Sequence, residues 1–82
     1  MISSTEIIVE FLMLKEEFGI KLKESRKAQK MSQKQVADRL GVAQPVYQRF
    51  EAGIYECNYE QLKTLCDIFD VSADFLLGRT DF

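Results

Sequence analysis

Residues 32–53, SQKQVADRLGVAQPVYQRFEAG, contain the start and stop signals of two short helices joined by a glycine turn. Ser32 followed by Gln35 is typical of a capping box, and Gly41 suits the left-handed residue at which a helix ends. Pro45 fits the first turn of a second helix, where a missing backbone N–H leaves no helical hydrogen bond unmade. We therefore expect a tight helix-turn-helix over this segment.

The rest of the chain has helical spacing as well, so we predict an all-α fold of five helices with an N-terminal extension. Residues 16–29 predict the first helix, which precedes the two helices of the helix-turn-helix. Asn58 with Gln61 forms a capping box for a fourth helix, and Ser72 caps a short fifth one. These elements make one small domain, with neither internal repeats nor a linker.

The N-terminal extension, residues 1–15, precedes the domain of residues 16–82 and continues its apolar pattern. Apolar residues recur at helical spacing at Ile7, Phe11, Leu14, Phe18 and Leu22. The β-branched run at 7–9 favours a strand instead. A capping box that begins at Ser3 supports a helix. We expect an extra helix over residues 5–14 rather than a strand.

The composition excludes most catalytic and metal chemistry. The 82 residues include no His, which removes Ser-His and Cys-His catalysis and histidine metal ligation. We expect a protein that is not an enzyme, with no catalytic residues, no metal site and no cofactor. Cys57 and Cys66 are too few for a disulfide scaffold, and we expect two reduced thiols in a cytoplasmic protein. The apolar stretch 7–14, interrupted by Glu10, is too short to span a membrane.

The net charge of −2 hides a division along the chain. Residues 21–49 contain eight lysines and arginines against two acidic residues, whereas the flanking segments, 1–20 and 50–82, are both acidic. A basic segment of this kind is expected where one face of a protein meets a polyanion. A solvated charged helix face is the alternative reading of the charge alone.

The second helix of a helix-turn-helix can lie in the DNA major groove, where its exposed residues reach base edges. The candidates for base reading are Gln44, Pro45, Gln48 and Arg49. Glutamine pairs bidentately with adenine, arginine pairs with guanine, and proline offers apolar contact to a thymine methyl. Gln33, at the N-terminus of the preceding helix, is placed to meet a phosphate. Lys27 and Lys34 are the further phosphate candidates.

These features resemble the Cro/cI-type, or XRE, family of helix-turn-helix regulators over about residues 17–81. The resemblance rests on the Ser-Gln that opens the second helix, Ala37, Gly41, Phe50-Glu51-x-Gly53 and Val71-Ser72-x-x-x-Leu76-Leu77-Gly78. It implies a lambda-repressor-like fold that binds double-stranded DNA through the residues named above. It also implies a structural pair between Arg26, late in the first helix, and Glu51, at the end of the third.

The chain departs from the family pattern in the third helix. Ala43 stands where Ser or Thr usually caps this helix, which costs about 1 kcal/mol. Pro45 replaces a polar base-reading side chain, and Tyr47 replaces a small aliphatic one, so that its hydroxyl needs a partner or the solvent edge. Ala52 replaces a frequent Asn. Base reading is therefore expected to rest mainly on the remaining polar residues of this helix.

The sequence thus predicts a sequence-specific DNA-binding transcriptional regulator, a repressor that binds a short inverted repeat as a homodimer. The dimer interface is either the N-terminal extension or the last helix. The alternative is a protein-interaction module, or an antitoxin-like protein with a protein partner, that keeps the fold; Ala43, Pro45 and the acidic net charge motivate it. A phage regulator, a restriction-modification controller and an antitoxin fit this sequence equally.

Overall fold

The computed structural model describes the backbone of residues 4–80 and the side chains of residues 14–80. Its helices are α1 (Ser4–Ala28), α2 (Gln33–Leu40), α3 (Gln44–Glu51), α4 (Tyr59–Phe69) and α5 (Ala73–Leu76). The described backbone contains no strand. The predicted all-α architecture with five helices is therefore confirmed.

The N-terminal extension is helical but does not form a separate helix. The helix expected over residues 5–14 is confirmed, and the strand alternative is wrong. The expected joint between this helix and that of residues 16–29 is absent, because α1 continues from Ser4 to Ala28. The Lys-Glu-Glu run at 15–17 consists of good helix formers, so nothing there ends the first helix. The capping box proposed at Ser3 lies outside the described residues.

The caps read from the sequence set the starts of α2 and α4. The Ser32 hydroxyl accepts a hydrogen bond from the Gln35 N–H (3.1 Å), and the Gln35 side chain accepts one from the Ser32 N–H (2.7 Å). Asn58 and Gln61 make the same reciprocal pair at 2.8 and 2.9 Å. Ala43 offers α3 no side-chain cap, so that helix depends on its packing for its position.

The turn between α2 and α3 needs the glycine that the sequence places in it. Gly41 has φ +78°, a left-handed conformation that a Cβ disfavours. The N–H groups of Gly41 and Val42 both donate to the Ala37 carbonyl, at 2.9 and 3.0 Å. These bonds close α2 and set the angle at which α3 leaves the turn.

A single apolar core fixes the helix-turn-helix to the other helices. Its buried members are Leu22, Val36, Ala37, Tyr47, Phe50, Leu65, Ile68, Phe69 and Leu76. Helix α1 packs on α3 and α5, α2 packs on α3 and α4, and α4 packs on α5. Phe18 and Phe75 pack against this core while only partly buried.

Other features of the described part of the chain concern membrane crossing, metal binding and the reactivity of its thiols. No helix in it combines the length and the apolar character that crossing a membrane requires. It holds no cluster of three or more His, Cys, Asp or Glu side chains suited to a metal ion. Cys57 and Cys66 are free thiols, and burial raises the pKa of both, which keeps them protonated.

Gly19 marks the closest approach of α1 to the end of α3. A Cβ at this position would overlap the Glu51 carbonyl oxygen and lie 2.9 Å from the Phe50 carbonyl oxygen. In the sequence this glycine shows only its cost to helix propensity, about 1 kcal/mol. In the structure, the absence of a side chain at Gly19 allows the backbone of α1 to contact the backbone at the end of α3.

Substituting Gly19→Ala is expected to lower the free energy of unfolding by about 1–3 kcal/mol, because the added methyl must displace α3. The matched control is Lys23→Ala at an exposed position of the same helix, expected to stay within about 0.5 kcal/mol of the parent. Urea denaturation followed by circular dichroism measures both. A Gly19→Ala variant at least as stable as the parent contradicts the close approach.

Candidate nucleic-acid interface

Arg26 and Glu51 form a bidentate salt bridge beneath the helix-turn-helix. The Arg26 Nε and Nη2 atoms donate to the two carboxylate oxygens of Glu51, at 2.7 and 3.1 Å. Their side chains are only 12% and 4% exposed. Arg26 also donates through Nη1 to the Met31 carbonyl at 3.0 Å. One guanidinium thus ties α1 to the end of α3 and to the turn before α2.

The charges of this pair are mutually stabilised. Burial by itself raises the pKa of the Glu51 carboxyl, but the hydrogen bonds that it accepts from Arg26 and Gln33 outweigh burial and leave the pKa below its usual 4.5. The hydrogen bond to Glu51 raises the pKa of Arg26. The pair is therefore fully ionised at neutral pH.

Tyr47 lies next to this pair. Its side chain is fully buried, and its hydroxyl has no hydrogen-bond partner among the described residues. Burial raises the pKa of the Tyr47 hydroxyl. The negative charge of Glu51 raises this pKa further, and the positive charge of Arg26 lowers it. The sequence led us to expect a partner or a place at the solvent edge for this hydroxyl. The structure instead uses the ring to fill the core under α3.

Two glutamines extend the salt bridge to the start of α3. The Gln33 Nε2 atom donates to Glu51 Oε1 at 3.2 Å, and the Gln44 Nε2 atom donates to Gln33 Oε1 at 2.8 Å. Arg26, Glu51, Gln33 and Gln44 thus form one hydrogen-bonded chain, which we call the polar chain. Sequence reasoning gave the two glutamines separate roles and missed their contact. The sequence did contain one sign of this contact: Gln33 and Gln44 are the first residues of two helices that are joined by a tight turn.

The outer face of α3 presents the other expected base-reading residues. Pro45, Gln48 and Arg49 are exposed, whereas the opposite face, with Tyr47 and Phe50, is buried in the core. Gln48 and Arg49 follow Pro45 by three and four residues, which keeps the three exposed side chains on one side of the helix. This surface and Gln44 together form the candidate interface.

Arg49 has a partner that the sequence did not reveal. Its guanidinium carbon lies 5.4 Å from the centre of the Tyr55 ring, within the range of a cation–π contact. The Arg49 carbonyl also accepts hydrogen bonds from the backbone N–H groups of Ile54 and Tyr55, at 3.0 and 3.3 Å. Tyr55 follows a turn and belongs to no periodic pattern, so its sequence offers no signal of this role.

The two lysines expected at phosphates lie outside the polar chain. Lys34 is exposed and pairs with Asp38 one helical turn away, at 3.0 Å. Lys27 is exposed in the last turn of α1, and it forms no ion pair within residues 14–80. Lys27 is therefore accessible to a ligand, and so is Lys34, because its exposed ion pair contributes at most about 1 kcal/mol.

Comparison with known proteins agrees with this geometry. Residues 22–76 match a protein-family model described as helix-turn-helix. The chain belongs to the helix-turn-helix family. The match covers all the residues of the polar chain and all of α2 and α3, and it confirms the family resemblance identified from the sequence motifs.

Relatives of this helix-turn-helix chain occur in Bacillus subtilis (strain 168). It is 42% identical over 60 residues to the uncharacterized HTH-type transcriptional regulator YqaE, covering 73% of this chain and 52% of that one. It is 41% identical over 59 residues to the HTH-type transcriptional regulator AnsR, covering 72% and 51%. It is 40% identical over 63 residues to the SPbeta prophage-derived uncharacterized HTH-type transcriptional regulator YonR, covering 77% and 58%. The chain thus spans about half the length of these curated relatives.

Substituting Glu51→Ala is expected to lower the free energy of unfolding by about 3–5 kcal/mol, because it leaves the Arg26 charge buried without its partner. Glu56→Ala is the matched control: Glu56 also pairs with a cation, Lys15, but its side chain is 61% exposed, so a loss below about 1 kcal/mol is expected. Chemical denaturation measures both. If both variants lose equally little free energy of unfolding, the buried pair does not stabilise the fold as proposed.

The stabilisation from Glu51 depends on pH in a definite direction. Because its pKa is lower in the folded protein, its contribution is complete above the ordinary value of 4.5 and is lost as the pH falls through the folded pKa. Unfolding measured between about pH 6 and pH 3 is expected to show a shallower loss of stability for Glu51→Gln than for the parent. Parallel profiles for the two proteins contradict the lowered pKa.

Proposed function

We propose that this chain is a sequence-specific DNA-binding transcriptional regulator that reads the major groove with α3. The observation that carries the proposal is the polar chain, which fixes Gln44 at the start of α3 beside the exposed Pro45, Gln48 and Arg49. Side chains that read bases must be held in a defined geometry, and this surface provides it. The names of the Bacillus relatives, all HTH-type transcriptional regulators, support the same function.

The hydrogen bonds of Gln44 suit an adenine edge. Its Nε2 atom uses one hydrogen to reach Gln33. A second amide hydrogen and the Oε1 oxygen remain for a base. Adenine presents the complementary pair in the major groove, an acceptor at N7 and a donor at N6. Gln33 thereby orients the reading residue while its own position, at the N-terminus of α2, lies where a phosphate binds favourably.

The charge distribution supports the same orientation. The basic segment, residues 21–49, comprises about the last third of α1 together with α2 and all but the last two residues of α3. The acidic segment, residues 50–82, contains α4 and α5. A polyanion is therefore attracted to the helix-turn-helix and repelled by the acidic helices, which favours one docking orientation.

We further propose that the protein acts in the cytoplasm as a repressor and binds a short inverted repeat as a homodimer, without catalytic activity. One recognition helix reads only a few base pairs. Two copies related by a two-fold axis double the contact and match a palindromic site. Occupancy of such a site blocks transcription without any chemistry on the DNA.

Substituting Arg49→Ala is expected to weaken binding to the DNA sequence that the protein prefers, which we call the selected site, by about 1–3 kcal/mol. It is also expected to relax the sequence preference at one base pair per half-site. The control is Arg39→Ala, which removes the same charge from an exposed position late in α2 and is expected to leave sequence preference unchanged. Binding curves on the selected site and on its single-base variants measure both effects. Equal weakening by Arg49→Ala on every sequence assigns Arg49 to a phosphate instead.

Selection of bound sequences from a random duplex library, at two salt concentrations, tests the function itself. An enriched inverted repeat, with half-sites about one helical turn apart and binding that falls steeply with salt, is the expected result. If the folded protein enriches no sequence, DNA reading is refuted and the protein-interaction module becomes the better account.

A further inference from the structure

The domain has an apolar groove that is lined by none of the residues of the polar chain. It is bordered by α1, the α3–α4 loop, α4 and the end of α5, and has a volume of about 250 Å³. The apolar side chains that line it are Leu14, Phe18, Tyr55, Tyr59, Leu62 and Leu77. At its edge Lys15 and Glu56 form an ion pair at 3.7 Å. An apolar floor with a polar rim is the arrangement found in protein–protein interfaces.

The exposed apolar surface of the domain is concentrated in this groove. Four of the six large hydrophobic side chains that are exposed in the described part of the chain line it: Leu14 (51%), Tyr55 (44%), Tyr59 (91%) and Leu77 (41%). The other two, Ile20 and Ile54, lie outside it. Single exposed apolar residues are ordinary, whereas a cluster of this kind marks a binding surface.

The chain carries a helical segment of matching chemistry next to the groove. In the sequence, Ile7 and Phe11 precede Leu14 at spacings of four and three, which places all three on one face of a continuous helix. We call these three residues the N-terminal stripe. Because α1 continues without a break from Ser4 through Leu14, its first ten residues extend about 15 Å along the helix axis. They do not fold back into the groove of the same chain, since that requires breaking the helix.

The area of the groove indicates how a stable contact is completed. Its four exposed side chains offer on the order of 400 Å² of accessible apolar surface to a partner. A standard stable interface buries about 800 Å² on each side, so the groove by itself supplies roughly half. In a two-fold pair each chain contributes both a groove and a stripe, and the same contact forms twice.

We propose that the apolar groove is the homodimer interface, occupied by the N-terminal stripe of a second copy of this chain. The inference rests on the proposed dimeric function and deepens it by naming the surface. It joins the extension and the end of the domain, which the sequence left as separate alternatives, in one interface. Tyr55 borders this groove and also contacts Arg49, so the interface lies directly beside the reading helix.

The test compares two substitutions on α1 in the full chain by sedimentation velocity. Leu14→Glu introduces a charge into the groove, and Ile20→Glu introduces the same charge at a position of nearly equal exposure, 54% against 51%, outside it. We expect the parent and Ile20→Glu to be dimers at about 100 μM, and Leu14→Glu to dissociate at least about tenfold more readily. A monomeric parent, or equal effects of the two substitutions, overturns the proposal.

Two further variants guard against misfolding and test the occupant. Tyr59→Glu changes the most exposed groove residue, at the first turn of α4, where a carboxylate favours the helix and folding is preserved. Like Leu14→Glu, it is expected to dissociate at least about tenfold more readily than the parent, with an unchanged circular dichroism spectrum. Phe11→Glu, in the stripe, is expected to do the same. If it stays dimeric while the groove variants dissociate, another segment occupies the groove and the proposal is wrong.

Different experimental results refute the proposed interface and the proposed DNA function. A parent that is monomeric yet enriches single half-sites from the duplex library refutes the interface and leaves DNA reading intact. A parent whose dimer depends on Leu14 but which enriches no sequence refutes DNA reading and leaves the interface intact.

Discussion

The buried salt bridge between Arg26 and Glu51 is the central constraint on the geometry of this domain. It sets the distance between α1 and the end of α3, and the Arg26 bond to the Met31 carbonyl sets the approach of α2. The bond from Gln33 then carries this geometry to Gln44. A charged pair out of water is stable only when its remaining groups are satisfied, and here Gln33, which also holds the prospective reading residue Gln44, bonds to the carboxylate.

The same constraint explains how α3 keeps its position without a side-chain cap. Ala43 gives its N-terminus no hydrogen bond, but Tyr47 and Phe50 are buried beneath it and Gln44 is held from α2. Gly19 lets α1 approach the end of α3 closely. The helix with the fewest local signals is therefore held by tertiary contacts, and its outer face is left free for a ligand.

Two candidate surfaces meet at the segment after α3. Arg49 lies over Tyr55 on the side of the candidate nucleic-acid interface, and the same tyrosine lines the apolar groove beside Leu14. This proximity gives a physical route by which pairing of two chains constrains a reading residue. The proposed dimer would also give a role to the long α1 and to the exposed Tyr55 and Tyr59.

The local elements could be predicted from the amino-acid sequence. The capping pairs at Ser32 and Asn58 and the left-handed Gly41 are short-range hydrogen bonds and backbone preferences, so their residues carry the signal directly. The folded structure was needed to show that Gln33 joins Gln44 to the buried pair and that Tyr55 lies under Arg49. These contacts join residues that are distant in the chain or lack a periodic pattern, and they form only when packing of the core brings the helices together.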